Sequence, residues 1–276
     1  MQVSTGHELI RIDVAELSQN VTLSRSVGWH DVEAEWRVLH AAAEVLGVRE
    51  EGRLIAQGAL ADFRNAASLA KMVVASEYQR RGVGARLLDH FLAEADTRRL
   101  VVGLCATEQG RPLYASRGFE VCGELMILFG MPELGTISEA SVVVLDDVER
   151  AVVQDRELLA CDRSRMLRAR YAEAFAKHAL VGRRGFGLAT AQGEHALVGP
   201  ILAENEQDAR ALCLALLESA ARPVRIDVPL EHVELRRWLV QLGLREMSVR
   251  VEMARGATRL PWQVSERYAL ATQAWG

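Results

Sequence analysis

No apolar run in this chain is long enough to cross a bilayer, and its N-terminus, MQVSTGHELIRID, lacks the charged-then-apolar layout of a signal peptide. The expectation is a cytoplasmic protein with no membrane partner. The four cysteines, Cys105, Cys122, Cys161 and Cys213, form no C-x-x-C pair and stand mostly inside apolar segments, so buried, reduced thiols are expected. The seven histidines are scattered, with no H-x-x-x-H or mixed Cys/His spacing, and no metal site is expected. Basic residues are not in excess: 33 Lys and Arg against 37 Asp and Glu leave a net charge of −4, which argues against nucleic acid as a partner. What remains is 276 residues, 50% of them hydrophobic, enough for one or two ordinary soluble domains.

Periodicity gives an α+β order. A strand is predicted at Leu9 to Val14, followed by helical stretches to about Ala43 that include HDVEAEWRVLHAAAE. VLGVREEGRLIAQGALADF reads as a hairpin turning at Glu51-Gly52, and SLAKMVVAS as a further strand. An amphipathic helix runs from Ala85 to Ala95, RLVVGLCAT is a buried strand, and a short helix spans Pro112 to Arg117. MPELGTISEA, with Pro, Gly and Ser, marks a domain boundary, giving domains at 1–132 and 140–276.

The two halves repeat. At an offset of 125 residues, Leu87, Leu88, Phe91, Leu92 and Ala95 fall on Leu212, Cys213, Leu216, Leu217 and Ala220, which keeps the apolar phase of one helix. Gly118-Phe119 falls on Gly243-Leu244, each followed by an alternating strand. The reading is two copies of one fold.

The copies differ where that helix begins. The first has Gln79-Arg80-Arg81-Gly82-Val83-Gly84, although glycine costs about 1 kcal/mol per helical position relative to alanine. A side-chain-free turn at a helix N-terminus lets unpartnered amides wrap an anion, and two guanidinium groups beside it add charge-assisted hydrogen bonds. The second copy has Glu204-Asn205-Glu206-Gln207-Asp208-Ala209 at the same place. Each of its carboxylates would repel a phosphate about 6 Å away by roughly 2 to 3 kcal/mol at an effective dielectric near 20. Those acids suit their own helix N-terminus instead. The first copy therefore carries the candidate phosphate cradle. Gly82-Val83-Gly84 lacks the third glycine of a dinucleotide fingerprint, and no Gly-Lys-Ser/Thr follows to make a P-loop.

The motif QRRGVG, together with YASRGF at Tyr114 to Phe119, resembles the GNAT superfamily of acyl-CoA-dependent N-acyltransferases. GWHDVEAEW, GRPLYASRGF and RYALATQAWG further resemble a bacterial two-domain subgroup whose C-terminal half is a second, degenerate domain of that fold. The resemblance implies that acetyl-CoA is the co-substrate. The amides from Arg80 through Gly82, Val83, Gly84 and Ala85 would hold its diphosphate, with Gln79 and Arg81 alongside. Met72, Val73 and Val74 would pair with pantetheine as a strand would, and the N–H of Val73 or Val74 would polarise the thioester. Tyr114 falls on the position of the general acid, and its second-copy counterpart is Leu239. The strand holding Val73 and the one holding Leu104 would splay apart to admit the thioester. Two departures from the subgroup are Ala75-Ser76 in place of Asp-Pro and Cys105 in place of an acid, and they weaken any transfer of substrate identity.

The implied reaction is direct attack of a primary amine on acetyl-CoA in a ternary complex. The alternative is a non-catalytic acetyl-CoA sensor or partner-binding module, which would need the cradle but not Tyr114. Trp29, Glu33 and Trp36 are candidates for the acceptor pocket, and Asp31, Glu33, Glu35 and His40 are candidates for the base. Cys105, mid-strand with no evident activating base, argues against a covalent acyl-cysteine. The partners expected are a small-molecule or peptide amine, with the protein a monomer or homodimer.

Overall fold

The computed structural model describes residues 8–134 and 142–275, so most of the expected domain junction, 135–141, lies outside the described residues. The first half runs β1 (Leu9–Arg11), a short 3-10 turn at Val14–Glu16, α1 (Leu17–Ser26), α2 (Glu33–Ala42), β2 (Ala43–Glu50), β3 (Arg53–Asp62), β4 (Ala66–Val74), α3 (Val83–Thr97), β5 (Val101–Ala106), α4 (Arg111–Ala115) and β6 (Glu120–Gly130). The second runs β7 (Val142–Val144), α5 (Val148–Leu159), α6 (Ser164–Glu173), β8 (Ala174–Leu180), β9 (Gly185–Gln192), β10 (His195–Ala203), α7 (Glu206–Ala220), β11 (Val224–Pro229), α8 (Val233–Gln241), β12 (Arg245–Arg255) and β13 (Arg267–Ala269). The first strand is shorter than expected because Asp13 caps the 3-10 turn by accepting the Ala15 N–H. The β2–β3 hairpin turns on Glu51 and Gly52, both left-handed at φ 48° and 80°, which matches the twist of the flanking strands.

The repeat is present at the level of single hydrogen bonds. The Phe119 N–H donates to the Tyr114 carbonyl and the Leu244 N–H to the Leu239 carbonyl, each across a left-handed glycine, Gly118 or Gly243. All five apolar positions matched between α3 and α7 are buried. Yet the copies are not separate bodies. One mixed sheet runs β1-β2-β3-β4-β5-β12-β6-β11-β10-β9-β8-β7, with β13 against β10. β6 of the first half lies between β12 and β11, and β12 of the second half lies between β5 and β6. Each copy thus lends its last long strand to the other, an exchange of the kind that joins subunits in swapped dimers, here within one chain. Leu125 pairs with Arg250, its own counterpart at the 125-residue offset, so the axis relating the copies passes between them.

The two faces of the sheet differ. On one, α3 and α4 cover the first copy and α7 and α8 the second, each over its own apolar cluster. On the other, a single apolar cluster includes residues of α1, α2, α5 and α6 and reaches the tail residues Trp262 and Trp275. Here α2 meets α6 through a buried pair, Arg170 Nη1 to Glu35 Oε1 at 2.9 Å.

Candidate active site

At the start of α3 the chain turns left-handed twice, at Arg80 (φ 60°) and at Gly82 (φ 80°). Gly82 is the N-cap and supplies no side-chain hydrogen bond. The first main-chain bond of the helix runs from the Arg86 N–H to the Gly82 carbonyl, 3.0 Å. Among the described residues, no acceptor takes a backbone N–H from residues 80–85. Those amides form a concave, positively polarised turn of the kind that binds anions. Gly84 serves a separate need, since a Cβ there would lie 3.0 Å from Val74 Cγ2, so its absence lets α3 pack close against β4. Gln79 ties the turn to the strand by donating to the Val74 carbonyl at 3.0 Å. The Arg81 guanidinium stacks 5.4 Å from the ring centre of Tyr78, whose hydroxyl bonds to Glu50.

Beside this turn the sheet opens. β4 and β5 pair in parallel only from Ala66 with Val101 to Ser68 with Gly103, so Leu69 to Val74 and Leu104 to Ala106 face each other without ladder bonds. The Ala75 N–H bonds to the Ile55 carbonyl, and Val73 pairs with Gln57. Ladder bonds alternate sides, so Val73 turns its N–H towards β3 and Val74 turns its N–H into the split. Of the two expected thioester donors, Val74 is therefore the one available. A bulge opposite Gly58 produces this phase, with Lys71 left-handed at φ 54°. Gly58 leaves room for it, since a Cβ there would meet the Met72 sulfur at 2.5 Å.

Tyr114 lies on α4 in the apolar cluster that holds Leu87, Leu88, Leu104 and Ala106, edge-on to Phe119 at 5.9 Å. Burial pushes its phenol up to about 12, so the ring stays protonated at neutral pH. Its hydroxyl makes no hydrogen bond among the described residues.

The second copy is closed at each corresponding point. Asn205 caps α7 by accepting the Asp208 N–H at 3.0 Å, and the buried Asp208 carboxylate pairs with Arg183. Leu239, fully buried, stands at the position of Tyr114. β10 and β11 also part after Val198 and Ile226, but the chain's own β13 enters this second split. It pairs Ala269 with Ile201 and Arg267 with Leu202, and the next residue, Leu270, donates to the Asp227 carbonyl at 3.0 Å.

The acceptor-side candidates fall in three different settings. Trp36 is a core residue with 0% exposure, and its indole N–H donates to Asp31 Oδ2 at 3.2 Å. Glu33 is exposed and 3.7 Å from Arg37. Trp29 precedes α2, half-buried, with the Lys71 ammonium 5.7 Å from its ring centre. Among the base candidates, Asp31 is engaged on both oxygens, by Trp36 and by Lys71 at 2.5 Å. Glu35 is held by Arg170. His40, 3.0 Å from Asn20 Oδ1, has its pKa lowered by burial. Cys161 and Cys213 are buried as expected, whereas Cys105 and Cys122 are only partly so. Burial drives the Cys105 thiol well above its usual range and Cys122 up to about 11, the reverse of an activated nucleophile. Two groups on this face were missed, Lys71 and the buried pair of Glu252 with Arg267 at 2.7 Å. A charge inside an apolar strand, as in SLAKMVV and VRVEMA, was the available signal. No group of three or more potential metal ligands occurs among the described residues, nor does any of their helices have the length and apolarity to cross a membrane.

Residues 24–131 and residues 151–269 each match a family model described as an acetyltransferase (GNAT) domain. Over 281 residues the chain is 26% identical to the uncharacterized N-acetyltransferase YitH of Bacillus subtilis (strain 168), covering 98% of each. A proposed acetyltransferase from Pyrococcus horikoshii superposes with a TM-score of 0.84 at 19% identity, covering 100% of this chain and 98% of that one. A tandem GNAT protein from the clavulanic acid biosynthesis pathway does so at 0.64 and 17% identity, covering 90% and 97%. The uncapped helix start beside a parted sheet, present once and filled in its repeat, thus belongs to a chain of two tandem GNAT domains, a member of the GNAT family of acyl-CoA-dependent N-acyltransferases.

Proposed function

We propose that this chain transfers the acetyl group of acetyl-CoA to a primary amine by direct attack in a ternary complex, with the carrier held by the N-terminal half. The observation that carries this reading is the difference between the two helix starts. The amides of residues 80–85 have no acceptor among the described residues, while α7 is capped by its own Asn205. The residues fit the carrier: a concave turn of free amides suits a diphosphate, and the open edge of β4 suits the amides of a pantetheine arm. Acetyl-CoA supplies the activated acyl group.

The chain's own residues supply position and polarity. The Val74 N–H, aimed into the split, is placed to bind developing negative charge on the acyl oxygen. Tyr114, kept protonated by burial, is the group to protonate the departing sulfur. The amine must be neutral to attack, and an alkyl amine with a pKa near 10.4 is so in roughly one molecule in a few thousand at pH 7. Holding the scarce neutral amine in line is therefore a large part of the acceleration. The elevated thiols of Cys105 and Cys122 favour direct transfer over an acyl-cysteine.

Thioester consumption with a panel of amines, measured beside calorimetric binding of acetyl-CoA, tests the reading. Binding with no transfer to any amine would leave the non-catalytic sensor in its place.

A further inference from the structure

The sheet face opposite α3 and α4 carries a cation that the proposed chemistry does not use. Arg250 lies on β12 two residues from Glu252 and so on the same face. Glu252 stands opposite Cys105, and Val251 opposite Ala106, the last residue of β5. Because β12 runs antiparallel to β5, Arg250 falls just beyond the end of β5, where β4 and β5 have already parted. Its ladder partner, Leu125, is its counterpart in the first copy and is fully buried. At the axis between the copies, one copy thus places a leucine and the other a half-buried guanidinium.

Arg250 bonds only to its own strand, through Nη1 to Ser248 Oγ at 3.1 Å and to the Val249 carbonyl at 3.0 Å, and no carboxylate pairs with it among the described residues. Three other cations on this face have an acid: Lys71 with Asp31 at 2.5 Å, Arg225 with Asp227 at 2.8 Å, and Arg267 with Glu252 at 2.7 Å. Those three pairs cancel, whereas the charge of Arg250, next to the end of β5, is not cancelled by a paired carboxylate among the described residues. Residues of α3 and α4, Tyr114 among them, fill one side of the sheet beside the split, and Arg250 stands on the opposite face.

Resting on the reading of this split as the acyl-CoA slot, we propose that Arg250 binds a carboxylate of the acceptor, which makes the acceptor a small amine that also bears a carboxylate, as an amino acid does. The planar guanidinium fork matches a carboxylate through two hydrogen bonds. The same positive charge disfavours the ammonium form of the nearby amine and so raises the neutral fraction that attacks.

Calorimetric titration of the full chain loaded with coenzyme A tests this, using common amino acids, each beside its amide and its decarboxylated amine. At least one acid should bind about 10- to 100-fold tighter than its amide, as expected for a charged hydrogen-bonded contact. Arg250→Gln should reduce that preference to within about twofold with coenzyme A affinity unchanged, and Arg250→Lys should restore part of it as a point charge. If coenzyme A binds but no acid does, or acid and amide bind alike, or the preference persists in Arg250→Gln, the role of Arg250 is overturned while the slot stands. Failure of coenzyme A to bind at all overturns the slot and this proposal with it.

Discussion

The starts of α3 and α7 are the same junction built in two ways. Both helices bury the same five apolar positions, and both follow a strand that parts from its parallel neighbour. In the second copy the helix begins two residues earlier relative to the repeat, because Asn205 is extended and caps it, whereas Arg80 and Gly82 are left-handed. A helix N-terminus either satisfies its own amides or offers them to something else. The parted strands follow the same rule: the chain's own β13 occupies the second split, and β4 keeps a free edge in the first.

That contrast can be broken at several points. The largest effect is expected from Gly82→Glu, which should abolish acetyl-CoA binding by calorimetry, because it places a carboxylate at the turn and a side chain at φ 80°. Asp208→Asn in the second copy should leave binding unchanged. Next, Glu252→Ala strands Arg267 in the interior and should cost about 3–5 kcal/mol in urea denaturation. Since β6 and β12 are exchanged, both halves should still unfold in one transition, and two separate transitions would contradict the shared sheet. Tyr114→Phe should lower turnover by about 100-fold or more with cofactor affinity intact. Full activity in that variant would strip Tyr114 of its acid role.

Asn205→Ala should cost only about 1 kcal/mol, the worth of a cap, with acetyl-CoA binding unaffected. The smallest effect is one of pH. With its proton held up to about pH 12, Tyr114 is lost as an acid only as pH rises through that value. The pH–rate profile should therefore rise as the amine deprotonates and show no fall from Tyr114 below about pH 11. A fall centred near the ordinary tyrosine value of about 10, absent in Tyr114→Phe, would show the phenol to be less buried than the fold places it.

Local patterns were legible in the sequence where one element decides them. The hairpin at Glu51-Gly52, the helix after the glycine turn and the equivalence of α3 with α7 all follow from periodicity and turn chemistry within short windows. The acceptor side was not legible, because its residues are joined by partners far apart in the chain. Trp36 and Glu33 fit a helical pattern that cannot say which face is covered. Glu35 meets Arg170 across 135 residues, and Asp31 meets Lys71 across 40. Val73 and Val74 are indistinguishable in sequence, and only the bulge at Lys71 decides which N–H enters the split.

By itself the sequence determined the two copies, the family resemblance and the difference between their helix starts, since glycine, asparagine and carboxylate at a helix N-terminus have local consequences that need no distant partner. Only the tertiary structure decided that the copies trade strands, that β13 fills the second split, and that Arg250, beside the first, has no acid partner among the described residues. Those outcomes depend on which strand edges meet and which charges find partners, and such pairings are set by packing the whole sheet at once.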